Sequence, residues 1–138
     1  MRSFFILFLV LIFVFGGCKK KEKIEFTLHN LTLKTFHKEH YPSQKLFLKV
    51  ILKGASTNEV LAVTDMYPGE YTLPAKFGVE QTPHLNFYKQ DYEIELWGDS
   101  SGYISSNPIH LKDYKIIYPL EMETENSGTS IVLSGTWK

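Results

Sequence analysis

From residue 24 onward, apolar and polar positions alternate with a period of two, the mark of strands with one buried face. Ile24, Phe26 and Leu28 alternate with Glu25 and Thr27, and Leu31 and Leu33 continue in the opposite parity. A stripe that slips by one residue at His29-Asn30 predicts a strand with a bulge or bend there. A polar loop follows, Thr35 to Lys45, containing Tyr41-Pro42. The next strand puts Leu46, Leu48, Val50 and Leu52 on one face, with Phe47, Lys49, Ile51 and Lys53 on the other. Gly54 to Asn58 is a turn, and Glu59 to Thr64 returns as the hairpin partner. Pro68-Gly69 marks a tight turn. Tyr71, Leu73, Phe77 and Val79 lie in a less regular stretch ended by Pro83, and His84 to Tyr88 is a further short strand. In Tyr92 to Trp97 the residues Tyr92, Ile94 and Leu96 face in, while Glu93, Glu95 and Trp97 face the other way. Gly98 to Gly102 is a loop, and Ile109 and Leu111 mark a short strand after Asn107-Pro108. Lys115 to Met122 runs extended around Pro119, which demotes it to an edge or a broken strand. Asn126-Ser127-Gly128 turns, and Ser130 to Trp137 closes the chain. No stretch has helical periodicity with caps. About eight short strands separated by turn signals predict an all-β, antiparallel β-sandwich.

The chain opens differently. Arg2 precedes an unbroken apolar segment, Phe4 to Phe15, which leads to Gly16, Gly17 and Cys18. These are the three parts of a secretory signal. As a helix the apolar segment would reach roughly 18 Å, short of the ~30 Å hydrocarbon core, so it suits export rather than a lasting span. Phe15-Gly16-Gly17-Cys18 resembles the lipobox of bacterial lipoproteins, matching at both glycines and the cysteine and departing at Phe15, where Leu, Val or Ala is usual. The resemblance implies diacylglycerol on Cys18 (the lipidation site), removal of residues 1–17 and acylation of the new amino terminus. Buried methylenes contribute about 0.8 kcal/mol each, so two or three acyl chains make a durable anchor. The expected organisation is a signal peptide at 1–17, a charged tether at 18–23 (Lys19-Lys20-Lys21-Glu22-Lys23 after the cysteine) and a β-sandwich domain at 24–138. The expected location is the cell envelope, anchored to a membrane that we take to be the outer one, on its periplasmic or exposed side.

Composition narrows the function. Loss of Arg2 changes 15 basic against 15 acidic residues to 14 against 15, a net charge of −1. With no strong positive charge, nucleic acid is not an expected partner. A single cysteine permits no internal disulfide, so the core must hold by burial alone.

The order of strands in residues 24–138 resembles a C2 domain: Ile24 to Leu33 first, Lys45 to Leu52 second, Tyr92 to Asp99 sixth, then Tyr103 to Leu111, and a last strand ending at Trp137. An immunoglobulin-like build is the alternative. C2 domains are eight-stranded sandwiches, and many bind phospholipid through calcium held by loop aspartates. The resemblance breaks at those aspartates. The first loop offers only Glu39, and after Trp97 come Gly98, Asp99 and Ser100. Calcium wants six to eight oxygen ligands, so neither that metal nor any cofactor is expected.

Three polar patterns remain. Gly98-Asp99-Ser100-Ser101-Gly102 fits G-x-S-x-G, and His37 or His40, Asp65 and Ser100 fall in the chain order of trypsin-like proteases. That makes a small serine hydrolase using Ser100 the alternative function, although the elbow motif needs a strand-to-helix turn and a strand follows here. His37-Lys38-Glu39-His40 has two imidazoles three apart, which a helix would bring to one face, but a loop before Pro42 sets no such geometry. Glu93, Glu95, Glu121, Glu123 and Glu125 share parity on their strands and suggest solvent faces, opposed if the strands are neighbours. Parity also leaves Trp97, Phe47, Ile51 and Tyr88 outward, where aromatics can stack on sugar rings or a protein. The expected binding surface is Trp97, Phe47, Tyr88, Glu93 and Glu95 on a sheet face, with the loops Thr35 to Lys45 and Gly98 to Ser106 as the alternative. The expected function is a non-catalytic binding or assembly module for a protein or glycan, held to the membrane by Cys18. A metal- or lipid-binding C2-like module is the further alternative.

Overall fold

The computed structural model describes residues 25–68, 70–86, 90–110, 114 and 118–138. Nine strands follow in order: β1 Glu25–Thr35, β2 Leu46–Lys53, β3 Glu59–Val63, β4 Ala75–Gly78, β5 His84–Asn86, β6 Asp91–Gly98, β7 Gly102–Ile109, β8 Glu121–Asn126 and β9 Thr129–Trp137. One 3-10 turn, Lys38–His40, lies between β1 and β2. The strands form two antiparallel sheets. The first runs β4-β1-β9-β8, with β5 also paired to β1, and the second runs β3-β2-β6-β7. This is the all-β sandwich that the alternation predicts, with nine strands among the described residues where the turn signals predict about eight.

The parity slip in the first strand is a bulge. Against β9 the register shifts between Leu28 and Asn30, so Phe26 and Leu28 face the core before it, Leu31 and Leu33 after it. All four are fully buried. They meet Leu46, Leu48 and Val50 of β2, Ile94 and Leu96 of β6, and Ile131 and Leu133 of β9. Each such side chain contributes about 1.5–3 kcal/mol when withdrawn from water, so this apolar layer is what joins the sheets.

At one side the sheets are also laced by polar side chains. The fully buried Asn107 of β7 donates from Nδ2 to the carbonyls of Thr124 (3.1 Å) and Thr129 (2.7 Å) in the other sheet. Thr124 Oγ1 donates to the Pro108 carbonyl at 2.7 Å, and Asn126 Nδ2 to that of Ser106 at 2.6 Å. These bonds tie β7 to the β8–β9 hairpin across the gap between the two sheets.

One expectation needs correction, and one open condition is decided. The strand that periodicity marks only at Ile109 and Leu111 runs from Gly102 to Ile109 and pairs with β6, starting close to the Tyr103 that the C2 resemblance implies; Leu111 lies outside the described residues. The condition under which the glutamates of β6 and β8 would oppose one another is not met, because those strands belong to different sheets.

Candidate functional site

On the outward face of the second sheet, register assembles an aromatic row from three strands. Phe47 of β2 pairs with Trp97 of β6, which pairs with Tyr103 of β7. The Phe47 and Trp97 rings are stacked at 6.3 Å, and Tyr103 meets Trp97 edge-on at 5.8 Å. Phe47 and Trp97 are half-buried; Tyr103 is 52% exposed.

Polar groups frame the row. The Lys49 ammonium lies 3.6 Å from the centre of the Trp97 ring, a cation–π contact worth about 0.5–2 kcal/mol. Trp97 Nε1 donates to Glu95 Oε2 at 2.8 Å, which fixes the indole. Lys53 donates to Glu93 Oε1 at 2.9 Å one row further along. Val60 and Val63 of β3, both exposed, extend the apolar part of the face toward the sheet edge. An aromatic ledge flanked by an ammonium and a carboxylate can stack against an apolar ring face while bonding hydroxyls or amides at its margin.

Of the expected surface, the structure brings together Trp97, Phe47, Glu93 and Glu95. Tyr88 lies outside the described residues, as do Cys18, the signal segment and the charged tether. Ile51 shares the outward parity yet is buried, between the cross-strand neighbours Val60 and Glu93. Tyr103 is absent from the surface that parity predicts, because Gly102 to Ser106 carries no alternation, although the C2 resemblance already sets Tyr103 at the start of a strand.

The loop holding Ser100 is pinned by Gln44. Its Oε1 accepts from the backbone N–H groups of Ser100 (3.3 Å) and Ser101 (2.9 Å), and its Nε2 donates to Ser101 Oγ at 2.9 Å. Lys45 N–H donates to Asp99 Oδ1 at 3.0 Å, and Asp99 N–H to the Lys45 carbonyl at the same distance. Ser100 Oγ donates to Asp99 Oδ1 at 3.3 Å, and among the described residues no histidine bonds it.

The loop from Thr35 to Lys45 is more ordered than its composition suggested. Its 3-10 turn places His37, Glu39 and His40 so that one donor atom from each lies within 4.8 Å of the others, all three residues being exposed. His37 Nδ1 is 3.2 Å from Glu39 Oε1, and the two imidazole rings are 5.3 Å apart. The Glu39 carboxyl is held below its ordinary range, first by its own backbone N–H and then by the His37 ring.

Compared with known proteins, the chain matches no protein-family model and no curated sequence.

Proposed function

We propose that the chain is a lipid-anchored lipoprotein of the cell envelope, a C2-like, non-catalytic module that holds a protein or glycan partner against the outward face of β3-β2-β6-β7. The anchor rests on Phe4 to Cys18, whose apolar segment and lipobox-like ending supply the address and the attachment point. The binding role rests on one observation: Phe47, Trp97 and Tyr103 form an aromatic row across three strands, with Lys49 and Glu95 beside it. Aromatic side chains at the centre of a recognition surface supply most of its affinity. A non-catalytic role is favoured over a serine hydrolase because Ser100 Oγ meets the neighbouring Asp99 and, among the described residues, no histidine, and its loop is fastened by Gln44.

Two measurements test the two halves. Labelling with radioactive palmitate should mark the wild-type chain and spare Cys18→Ala; equal labelling, or none, sinks the anchor. For the surface, a photo-crosslinking residue at Tyr103 should capture an envelope protein or glycan. Trp97→Ala should abolish that capture, and the same substitution on a chain that retains its melting temperature should leave the fold intact. Capture that is indifferent to Trp97 moves the site elsewhere.

A further inference from the structure

We propose that His37, Glu39 and His40 form a surface site for a divalent transition-metal ion of borderline softness, with zinc as its representative. This goes beyond the recognition face and does not rest on it.

The first support is backbone geometry. A 3-10 turn has three residues per turn, so residues i and i+3 eclipse one another. That periodicity sets the His37 ring beside the His40 ring, and Glu39 enters from the same turn. The second support is spacing. Tetrahedral zinc with bonds of about 2.0 Å separates neighbouring ligand atoms by about 3.3 Å. His37 Nδ1 and Glu39 Oε1 already stand 3.2 Å apart, and rotation of exposed side chains closes the rest of the 4.8 Å spread.

The third support is what has been cleared away. Lys38 sits in sequence between the ligands, yet its ammonium is drawn to Tyr71, 4.6 Å above the ring and 3.4 Å from the carbonyl. The cation adjacent in sequence to the carboxylate therefore points elsewhere. On the other side lies Gly128, in the β8–β9 turn at φ +78°, where any Cβ would fall 2.3 Å from His37 Nε2. A residue without a side chain leaves the imidazole its room.

Two neutral imidazoles and one carboxylate suit zinc, nickel or copper better than calcium or magnesium, which prefer oxygen alone. Three protein ligands leave a fourth position for water or a partner's donor atom. The ion keeps one net positive charge in such a site, which favours an anionic fourth ligand.

The test is calorimetric titration of zinc into the full chain in detergent, without a polyhistidine tag. One zinc should bind per chain. His37→Ala and His40→Ala should each weaken binding at least tenfold, since even the outer partners of metal ligands are worth that much. His110→Ala, an exposed histidine outside the cluster, should leave binding unchanged. Because His37 packs beside the β8–β9 turn, His40→Ala and Glu39→Gln guard against a folding defect. The His40 ring has no hydrogen-bond partner among the described residues, and each variant's zinc-free melting temperature reports on the fold. Absence of zinc binding, or equal binding when both His37 and His40 are alanine, overturns the proposal.

Discussion

Gln44 is only 5% exposed, and its amide is consumed by one loop: two backbone N–H groups and one hydroxyl. Nothing in its sequence neighbourhood, Pro42-Ser43-Gln44-Lys45, distinguishes it from a solvated loop residue. Its importance comes from 56 and 57 positions away, at Ser100 and Ser101. Gln44→Ala should strip the acceptor from those N–H groups and cost about 1–3 kcal/mol, the usual penalty for stranding partly buried donors. Urea unfolding measures it; a change below a few tenths would mean that water replaces the side chain freely. Gly98 belongs to the same arrangement, since a Cβ there would fall 2.0 Å from Gln44 Oε1. Gly98→Ala should therefore displace the amide and destabilise the same loop.

Among the elements, the outward face of the first sheet carries a charge relay that ties β1 to β8 across β9. Lys34 Nζ donates to both oxygens of Glu123 at 2.8 and 3.0 Å, and Ser130 Oγ of β9 donates to the same carboxylate at 2.5 Å. The Lys34 bond first, and the Ser130 bond second, hold the Glu123 carboxyl below its ordinary range. A carboxyl whose folded pKa lies below its unfolded one stabilises the fold at any pH above the unfolded value. That contribution fades as the pH falls through the folded value. Glu123→Gln should accordingly melt below wild type at neutral pH, with the gap closing on acidification. The pair is solvent-exposed, so salt should shrink the gap as well. A gap that stays constant from neutral pH down to about pH 2 would refute this assignment.

For the whole molecule, the decisive pairing is between the two ends of the domain. β9 lies between β1 and β8, and it brings the fully buried Ile131 and Leu133 to the core. Trp137 closes the far end, its ring 5.2 Å from Phe26 and its Nε1 donating to the Pro119 carbonyl at 2.7 Å. Removal of Thr129–Trp137 would strand β8 and open one flank of β1, so a chain ending at Gly128 should show no cooperative unfolding transition. A sharp transition in that truncated chain would show that the remaining strands suffice. Because the chain has one cysteine, a reducing agent should leave the melting temperature of the intact protein unchanged. Pairing β1 with β9 also demands closure of a loop of nearly the whole domain, and contacts so distant in sequence slow folding to milliseconds or seconds.

Some of this architecture is legible in the sequence alone. Alternation is a local property, because successive side chains of a strand point to opposite faces whatever the partner. The sequence alone therefore determined β2 and β6 with their inward faces, the bulge at His29-Asn30, the turn at Ser127-Gly128 and the outward setting of Phe47 and Trp97. Only the tertiary structure decided which strands are neighbours. Register across β2, β6 and β7 made a row of Phe47, Trp97 and Tyr103, and the separation of β6 from β8 removed any opposition between their glutamates. The segment Gly102 to Ser106 is a strand because β6 offers it hydrogen bonds, not because its own pattern asks for it. Ile51 is buried despite outward parity, and His37, Glu39 and His40 converge because a short turn eclipses them. Periodicity is written in neighbouring residues, whereas pairing, cover and convergence depend on groups far apart in the chain, which come together only when the two sheets close on their shared core.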